Sequence, residues 1–504
     1  MTYRTLAAVV AAVALGVSGS RAQQPTPLTN LVIVVDGLRP DYVTPGLTPR
    51  LVRLGQRGIV FSAHHSAFPT VTRLNAASFV TGAYPETHGL LGNTVYVPSA
   101  NATRGLDTGE RDNLELIQRA DGRLLTAPSL GEILQQSGRT FVAIGSGTSG
   151  AAFVLNPSAG NGATIHSEFT RPPELAARVL EKLGPAPMRA IPNTAQHRHA
   201  VEAYLRIALE ELRPAITWLW LSDPDTTAHA RGIGAAPMRE ALAFVDAEIG
   251  RIEDTLRAKG LLDRTNVIVT SDHGFSTHTG ELTLSTLIAP FVRLMNDGSP
   301  DIVVAEGAIH VRRPDPARVA AIVTALQHRP EVGAIFTRPR PGGGPEGVVP
   351  GTLSFDVARW NHPTRGGDIL VSANWISDKN DAGFAGKTTA GGVVAGHGTS
   401  SPYDIHNVLI AAGPDFREHT TSGVPTANVD LAPTLLRLLR LQIPATMTGR
   451  VIEEGLRSGP LPSSVRIDRA TETVKTSDGT YELTAHLSTA AGHRYLDFTD
   501  VKRQ

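Results

Sequence analysis

LVIVVDG, Leu31–Gly37, is a continuous apolar run that stops at an aspartate and a glycine. A strand with one wet face alternates apolar and polar residues. A run that does not alternate fits a strand buried on both faces of a parallel sheet. The pattern returns in FVAIGS (Phe141–Ser146), AITWLWLSD (Ala215–Asp223), NVIVTSDHG (Asn266–Gly274) and NVLIAAG (Asn407–Gly413). Helical periods lie between these runs. TPRLVRLGQRG (Thr48–Gly58) follows the first, and PMREALAFVDAEIGRIEDTLRAKG (Pro237–Gly260) closes on Lys259 and Gly260, residues that suit a helix C-terminus. Alternating strands and helices predict an α/β chain: a three-layer core around a mostly parallel sheet.

Outward from that core the pattern changes near Pro290. Residues 302–339 read strand, strand, helix, strand, and RPRPGGGPEG (Arg338–Gly347) is a turn-rich link. Its glycines lack the Lys-Ser/Thr and the strand–helix setting of a phosphate loop. The expected organisation is a first core segment over residues 27–290 and an inserted α+β cap-like subdomain over 291–385. The core then resumes over 386–460, with a late helix in PTANVDLAPTLLRLLRL (Pro425–Leu441). A C-terminal extension, 461–504, alternates like a β-hairpin in YELTAHLS and RYLDFTDV.

The bulk composition mainly excludes. The chain has 504 residues, and Lys+Arg equals Asp+Glu at 47 each. That balance gives no sign of a nucleic-acid-binding module or a polybasic membrane surface. There is no cysteine, so disulfides and thiolate metal ligands are excluded. MTYR, an apolar stretch LAAVVAAVALGVSG and the small residues Ser20 and Ala22 read as a bacterial signal peptide, residues 1–22. The apolar stretch is shorter than the roughly 20 residues that a span requires, and no later stretch is long enough. A periplasmic or secreted protein is therefore expected, with no transmembrane segment in the mature chain.

In open α/β sheets, ligands bind beyond the carboxyl ends of the strands. The strands here end in Asp36, in Asp223-Pro224-Asp225 and in Asp272-His273. Asp225 and His229 are four apart, so one helical turn puts both on the same face. His397 sits between Gly396 and Gly398, where the backbone can approach a bound group closely. Three aspartates and three histidines without cysteine are the donor chemistry of hydrolytic Zn²⁺, Mn²⁺ or Fe sites. Each piece alone has an ordinary reading, such as a turn, a helix cap or a core histidine. Their joint occurrence at strand ends and in a glycine-flanked loop carries the argument. Most of the 17 histidines, including His64, His65, His278 and His419, read as structural or surface residues.

VVDGLRPDY, FPTVTRLN, TGAYPETHGLLGN, DPDTTAH, SDHG and GHGT occur in that order. Together they resemble the alkaline phosphatase superfamily, in particular its type I phosphodiesterase/nucleotide pyrophosphatase branch. GPDF, PTANVDLAPTLLRLL and TGR resemble its C-terminal core, so the likeness runs from about Leu31 to Arg450. The resemblance implies an alkaline-phosphatase-like fold and two divalent metal ions, with zinc well suited. Asp225, His229 and His397 would hold one ion, and Asp36, Asp272 and His273 the other. It implies that Thr72, the second threonine of Pro69-Thr70-Val71-Thr72, is the nucleophile and a metal ligand. It implies that Asn93 donates to a phosphoryl oxygen. The expected activity is hydrolysis of phosphodiester or pyrophosphate bonds in a small phosphorylated substrate through a phosphothreonine. Metal coordination would stabilise the threonine alkoxide, which does not form alone near neutral pH.

Two departures bear on the substrate. Nucleotide pyrophosphatases of this branch usually carry an aromatic residue after the nucleophile, where it stacks a base. This chain has Arg73, followed by Leu74, Asn75 and Ala76. A guanidinium there either binds an anionic substrate or pairs with a local acid. Monoesterases of the superfamily also add basic residues for a dianionic phosphate, and GSGTSGAAFVLNP (Gly145–Pro157) has none. Diesters are expected unless Arg73 restores the missing charge. The alternative is a phosphomonoesterase, or a phosphonate hydrolase resembling phosphonoacetate hydrolase, on the same scaffold.

Overall fold

The computed structural model describes residues 29–504. The expected signal peptide lies outside the described residues. A ten-stranded sheet forms the centre. Five of its strands run parallel, in the spatial order Ala163–His166, Phe141–Gly145, Ile216–Leu221, Thr29–Val35, Thr265–Thr270. His406–Ala412 then lies antiparallel between Thr265–Thr270 and Ile59–His65. The sheet is mixed at its edge and parallel at its heart.

Every side chain from Leu31 to Val35 is buried. Leu31, Ile33 and Val35 pack on one face against Leu242, Val245, Ile249 and Ile252 of helix Ala236–Ala258. Val32 and Val34 pack on the other face with Phe79 and Val80 of helix Thr72–Thr81 and Leu435 and Leu436 of helix Leu431–Leu438. Burial of each such side chain is worth roughly 1.5–3 kcal/mol. Burial on both faces explains why the sequence does not alternate there. The late helix is shorter than the pattern suggested. Before it, Thr426–Ala427 pairs with the strand Ile59–His65, and Asp430 accepts a hydrogen bond from Ala427 N at 2.8 Å, which holds the turn that opens the helix.

Smaller sheets flank the core. Ile302–Ala305, Ala308–Val311, Ile369–Ala373, Val332–Thr337 and Leu353–Ser354 form a five-stranded sheet, with helix Pro316–Gln327 between two of its strands in sequence. A four-stranded sheet joins Trp375–Lys379, Ala385–Ala390, Ser276–Leu282 and Ala395–Gly396. The tail forms three antiparallel strands, Ile467–Lys475, Tyr481–Ala490 and His493–Arg503. It is pinned at Tyr481, whose hydroxyl donates to Gly333 O at 2.8 Å, and at Tyr495, whose hydroxyl donates to Asp430 Oδ2 at 3.0 Å. Among the described residues no helix is long and apolar enough to cross a membrane.

Candidate functional site

The site lies where Thr29–Val35, Ile216–Leu221 and Thr265–Thr270 end. Asp36 and Gly37 follow the first strand. Gly37 has φ +71°, and a Cβ there would stand 3.0 Å from Phe275 and 3.1 Å from Asp225. Both constraints require glycine at this turn. Asp225 begins helix Asp225–Arg231, and His229 lies one turn along it. Asp272 and His273 follow the third strand. His397 is supplied by the loop after Ala395–Gly396, in which Gly398 takes φ +106°.

These six residues meet. His229 Nε2 and His397 Nε2 lie 3.0 and 3.3 Å from Asp225 Oδ2, and 3.2 Å from each other. His273 Nε2 lies 3.0 Å from Asp272 Oδ2 and 3.6 Å from Asp36 Oδ1. The rings of His273 and His397 stack with centroids 3.5 Å apart, so the two groups share a wall. Asp225 also converges with Asp36 and His273, so its carboxylate stands between the groups.

The second contacts of the histidines fix their tautomers. His229 Nδ1 lies 2.8 Å from Ala395 O, His273 Nδ1 2.9 Å from Gly274 O and His397 Nδ1 2.8 Å from Thr70 O. A carbonyl oxygen only accepts, so each Nδ1 donates. Each neutral ring then presents an Nε2 lone pair to the site, the arrangement of a metal-ligating imidazole. The carboxylates are also poised. Asp36 Oδ2 accepts from Trp220 Nε1 at 2.9 Å, and Asp272 Oδ1 from Gly37 N at 3.2 Å. Asp36 Oδ1, Asp225 Oδ2 and Asp272 Oδ2 are buried and have no hydrogen-bond donor among the described residues. Orphaned carboxylate oxygens facing imidazole lone pairs fit divalent cations.

The electrostatics agree. Burial pushes Asp36 well above the usual carboxylate range, and the neighbouring charges of Asp272 and Asp225 push it further. Burial acts the same way on Asp225, but His229 and His397 outweigh it and hold this carboxyl well below its ordinary value. Burial disfavours the charged form of His229 and His273, yet Asp225 and Asp272 respectively raise both. His397 is lowered to about 4 by burial and by His273. Without cations, the anions draw protons onto two of the imidazoles.

Thr72 is the first residue of helix Thr72–Thr81, which has no side-chain N-cap. Its Oγ1 lies 3.3 Å from His273 Nε2. Thr70 faces away from that point. Its hydroxyl donates to Thr399 O at 2.9 Å and accepts from Gly398 N at 3.0 Å, bracing the loop that carries His397. Asn93 Oδ1 accepts from Arg73 N at 2.9 Å, which leaves the Asn93 amide nitrogen as the free end of the group. Arg73 makes two long contacts, Nη2 to Asp107 Oδ1 and Nε to Thr108 Oγ1, both at 3.4 Å. It has a local acid, and it holds that acid loosely.

Several supporting residues carry no motif of their own. Trp220 orients Asp36. Ser146, His197 and Asp223 form a buried chain, with Ser146 Oγ 3.0 Å from His197 Nδ1 and His197 Nε2 2.9 Å from Asp223 Oδ2, and this braces the turn before Asp225. Asn428 Nδ2 donates to Asp272 O at 2.8 Å and to Asn75 Oδ1 at 2.9 Å, tying the helix of Thr72 to the Asp272 turn. Polar residues buried at 0 % exposure, such as His197 and Asn428, signal such networks only after folding.

Residues 30–375 match the family described as type I phosphodiesterase/nucleotide pyrophosphatase. Human ectonucleotide pyrophosphatase/phosphodiesterase family member 1 is 29% identical over 251 residues, which are 49% of this chain and 24% of that protein. The matched segment thus spans about a quarter of that relative's length. Murine ectonucleotide pyrophosphatase/phosphodiesterase 5, solved as an inactive variant in complex with AMP, aligns at a TM-score of 0.60 and 19% identity over 85% of this chain and 99% of that one. A mutant of alkaline phosphatase PafA aligns at 0.64 and 16% identity over 86% and 100%. These structures share the fold. The chain belongs to the type I phosphodiesterase/nucleotide pyrophosphatase family.

Proposed function

We propose that the protein is a metal-dependent hydrolase of phosphodiester or pyrophosphate bonds in small phosphorylated substrates, with Thr72 as nucleophile. The observation that carries this reading is the position of Thr72 Oγ1, 3.3 Å from His273 Nε2 and beside two converging donor sets that share Asp225. Asp225, His229 and His397 would hold one divalent ion, and Asp36, Asp272 and His273 the other, with zinc the best chemical match to this donor set. When bound, the ions lower the pKa of coordinated oxygens and offset charge on the phosphoryl group.

The chain's own residues do the rest. Thr72 Oγ attacks phosphorus, and the bond to the leaving oxygen breaks on the opposite side. Water then displaces Thr72 from the phosphothreonine and regenerates the hydroxyl. Asn93 Nδ2 donates to a non-bridging oxygen as charge builds on it. The murine relative bound to AMP supports a small phosphorylated ligand, and the leader-like residues 1–22 support work in the periplasm or outside the cell. Residues 291–385 are read as a cap beside the site.

The test is turnover of bis-p-nitrophenyl phosphate with zinc present, in wild type and Thr72→Ala, followed by mass spectrometry of the acid-quenched Thr72 peptide. We expect loss of roughly a thousandfold or more in kcat for Thr72→Ala, and a phosphorylated Thr72 in wild type. Unchanged turnover in Thr72→Ala would sink the mechanism.

A further inference from the structure

The turn between Ile302–Ala305 and Ala308–Val311 brings a carboxylate from the inserted segment to the edge of the candidate site. Glu306 Oε2 accepts from Asn93 N at 2.5 Å and from Thr94 N at 3.1 Å. It does so with Glu306 at φ +60°, a conformation that a residue with a side chain adopts at a cost. The fit is close on the other side too, since a Cβ on Gly92 would stand 2.8 Å from Glu306 Oε2. Glu306 and Gly307 form a two-residue hairpin turn, in which a positive φ at the first position suits the twist of the strands, so the cost lies only in placing a side chain there. That side chain aims its charge at the backbone of Asn93.

The charges around Asn93 can be counted. Arg73 contributes one positive charge and pairs at 3.4 Å with Asp107. Burial raises the Glu306 carboxyl above its ordinary range, the Thr94 and Asn93 amides and Arg73 draw it back down, and Asp107 adds to the rise, so the carboxylate is fully charged only towards alkaline pH. The three together carry a net charge of about −1 when ionised. Arg73 therefore does not supply the surplus positive charge that a dianionic phosphate needs. A phosphomonoester carries close to two negative charges near neutral pH, whereas a diester carries one. An anion fixed beside Asn93 penalises the monoester more.

We propose that Glu306, delivered by the inserted segment, turns away dianionic phosphoryl groups and so makes the site select diesters over monoesters. The proposal rests on the hydrolase reading above and names the residue that sets its substrate class. Glu306→Gln is the natural probe. It keeps an oxygen to accept from Asn93 N and Thr94 N, and removes only the charge.

The experiment compares kcat/KM on p-nitrophenyl phosphate and bis-p-nitrophenyl phosphate at alkaline pH with zinc, in wild type, Glu306→Gln and Asp107→Asn. One charge removed at a separation of a few ångströms shifts the monoester-to-diester ratio by roughly fivefold or more. We expect that rise in Glu306→Gln, and a rise in the same direction in Asp107→Asn. If Glu306→Gln does not fold, Glu306→Ala gives the same comparison, and Asp107→Asn reports only how far Arg73 is neutralised by its own partner. A ratio unchanged in the variants, or both substrates slowed by the same factor, would mean that Glu306 only positions Asn93, and the proposal falls while the hydrolase reading stands. A wild-type protein that cleaves neither ester overturns both.

Discussion

His229 Nε2 and His397 Nε2 face each other at 3.2 Å while both rings donate through Nδ1 to backbone carbonyls. Two lone pairs at that distance repel, and Asp225 adds a carboxylate to the same point. Only a proton or a cation relieves the arrangement.

Metal removal should therefore cost stability as well as activity. Ions bound by the folded state alone stabilise it by about 2.7 kcal/mol at a hundredfold excess over Kd. We expect EDTA to lower Tm and zinc to restore it, and His229→Ala to abolish most of that zinc-dependent shift. Calorimetry with and without chelator checks this. A Tm indifferent to zinc in wild type would count against the metal site.

Asn93→Ala should leave the Glu306 contact intact, because that contact uses the Asn93 backbone N–H. The loss falls on the side-chain amide, its free donor together with the acceptor for Arg73 N. We expect kcat on a diester to drop roughly 10²–10³-fold, with a much smaller change in zinc affinity. A drop of less than threefold or so would assign Asn93 a structural role only.

Acid should unfold the chain through buried neutral histidines. Burial lowers His64, His88 and His406 to about 3, helped by the charges of His65, His362 and His65 respectively. Their folded values lie below the unfolded value of 6.5, so between these limits the unfolded chain binds more protons. The stabilisation is full above 6.5 and is lost as pH falls towards 3. Each ring contributes up to about 1.4 kcal/mol per pH unit across that window. Urea midpoints of the metal-free protein should fall between about pH 7 and about pH 5. A flat profile would show that these rings are not neutral and buried in solution.

One of the anchors of the C-terminal sheet is a buried cation. Arg450 reaches Glu454 through both terminal nitrogens, at 2.6 and 2.8 Å, and donates to Tyr495 OH at 2.8 Å. Removing Arg450 strands the Glu454 carboxylate, which is 2 % exposed. Arg450→Ala should cost roughly 3–5 kcal/mol and open residues 461–504 to limited proteolysis first. Equilibrium unfolding and a timed protease digest measure both effects. A stable variant with a protected tail would refute this link.

The legible parts of the molecule were those with a local signature. Unbroken apolar runs marked Thr29–Val35, Ile216–Leu221 and Thr265–Thr270, because burial on both faces removes alternation. Candidate ligands stood at the ends of those runs, and the spacing of four between Asp225 and His229 matched a helical turn that is present. The rest depends on contacts without a period. Glu306 and Asn93 are 213 positions apart, and Trp220 and Asp36 are 184 apart. Nothing local distinguishes such a glutamate from any hairpin-tip acid. Asp225 illustrates the same limit, since resemblance assigned it to one ion while the folded chain sets it between two donor groups.

Trp220 gives this site an optical handle. Its indole N–H donates directly to Asp36 Oδ2, and the ring itself is buried. A cation drawing on that carboxylate weakens its pull on the indole hydrogen, and indole emission responds to such a change in its immediate field. Filling of the Asp36 side of the site should therefore be readable as a shift in intrinsic fluorescence, without label or substrate, and Trp220→Phe should silence the signal.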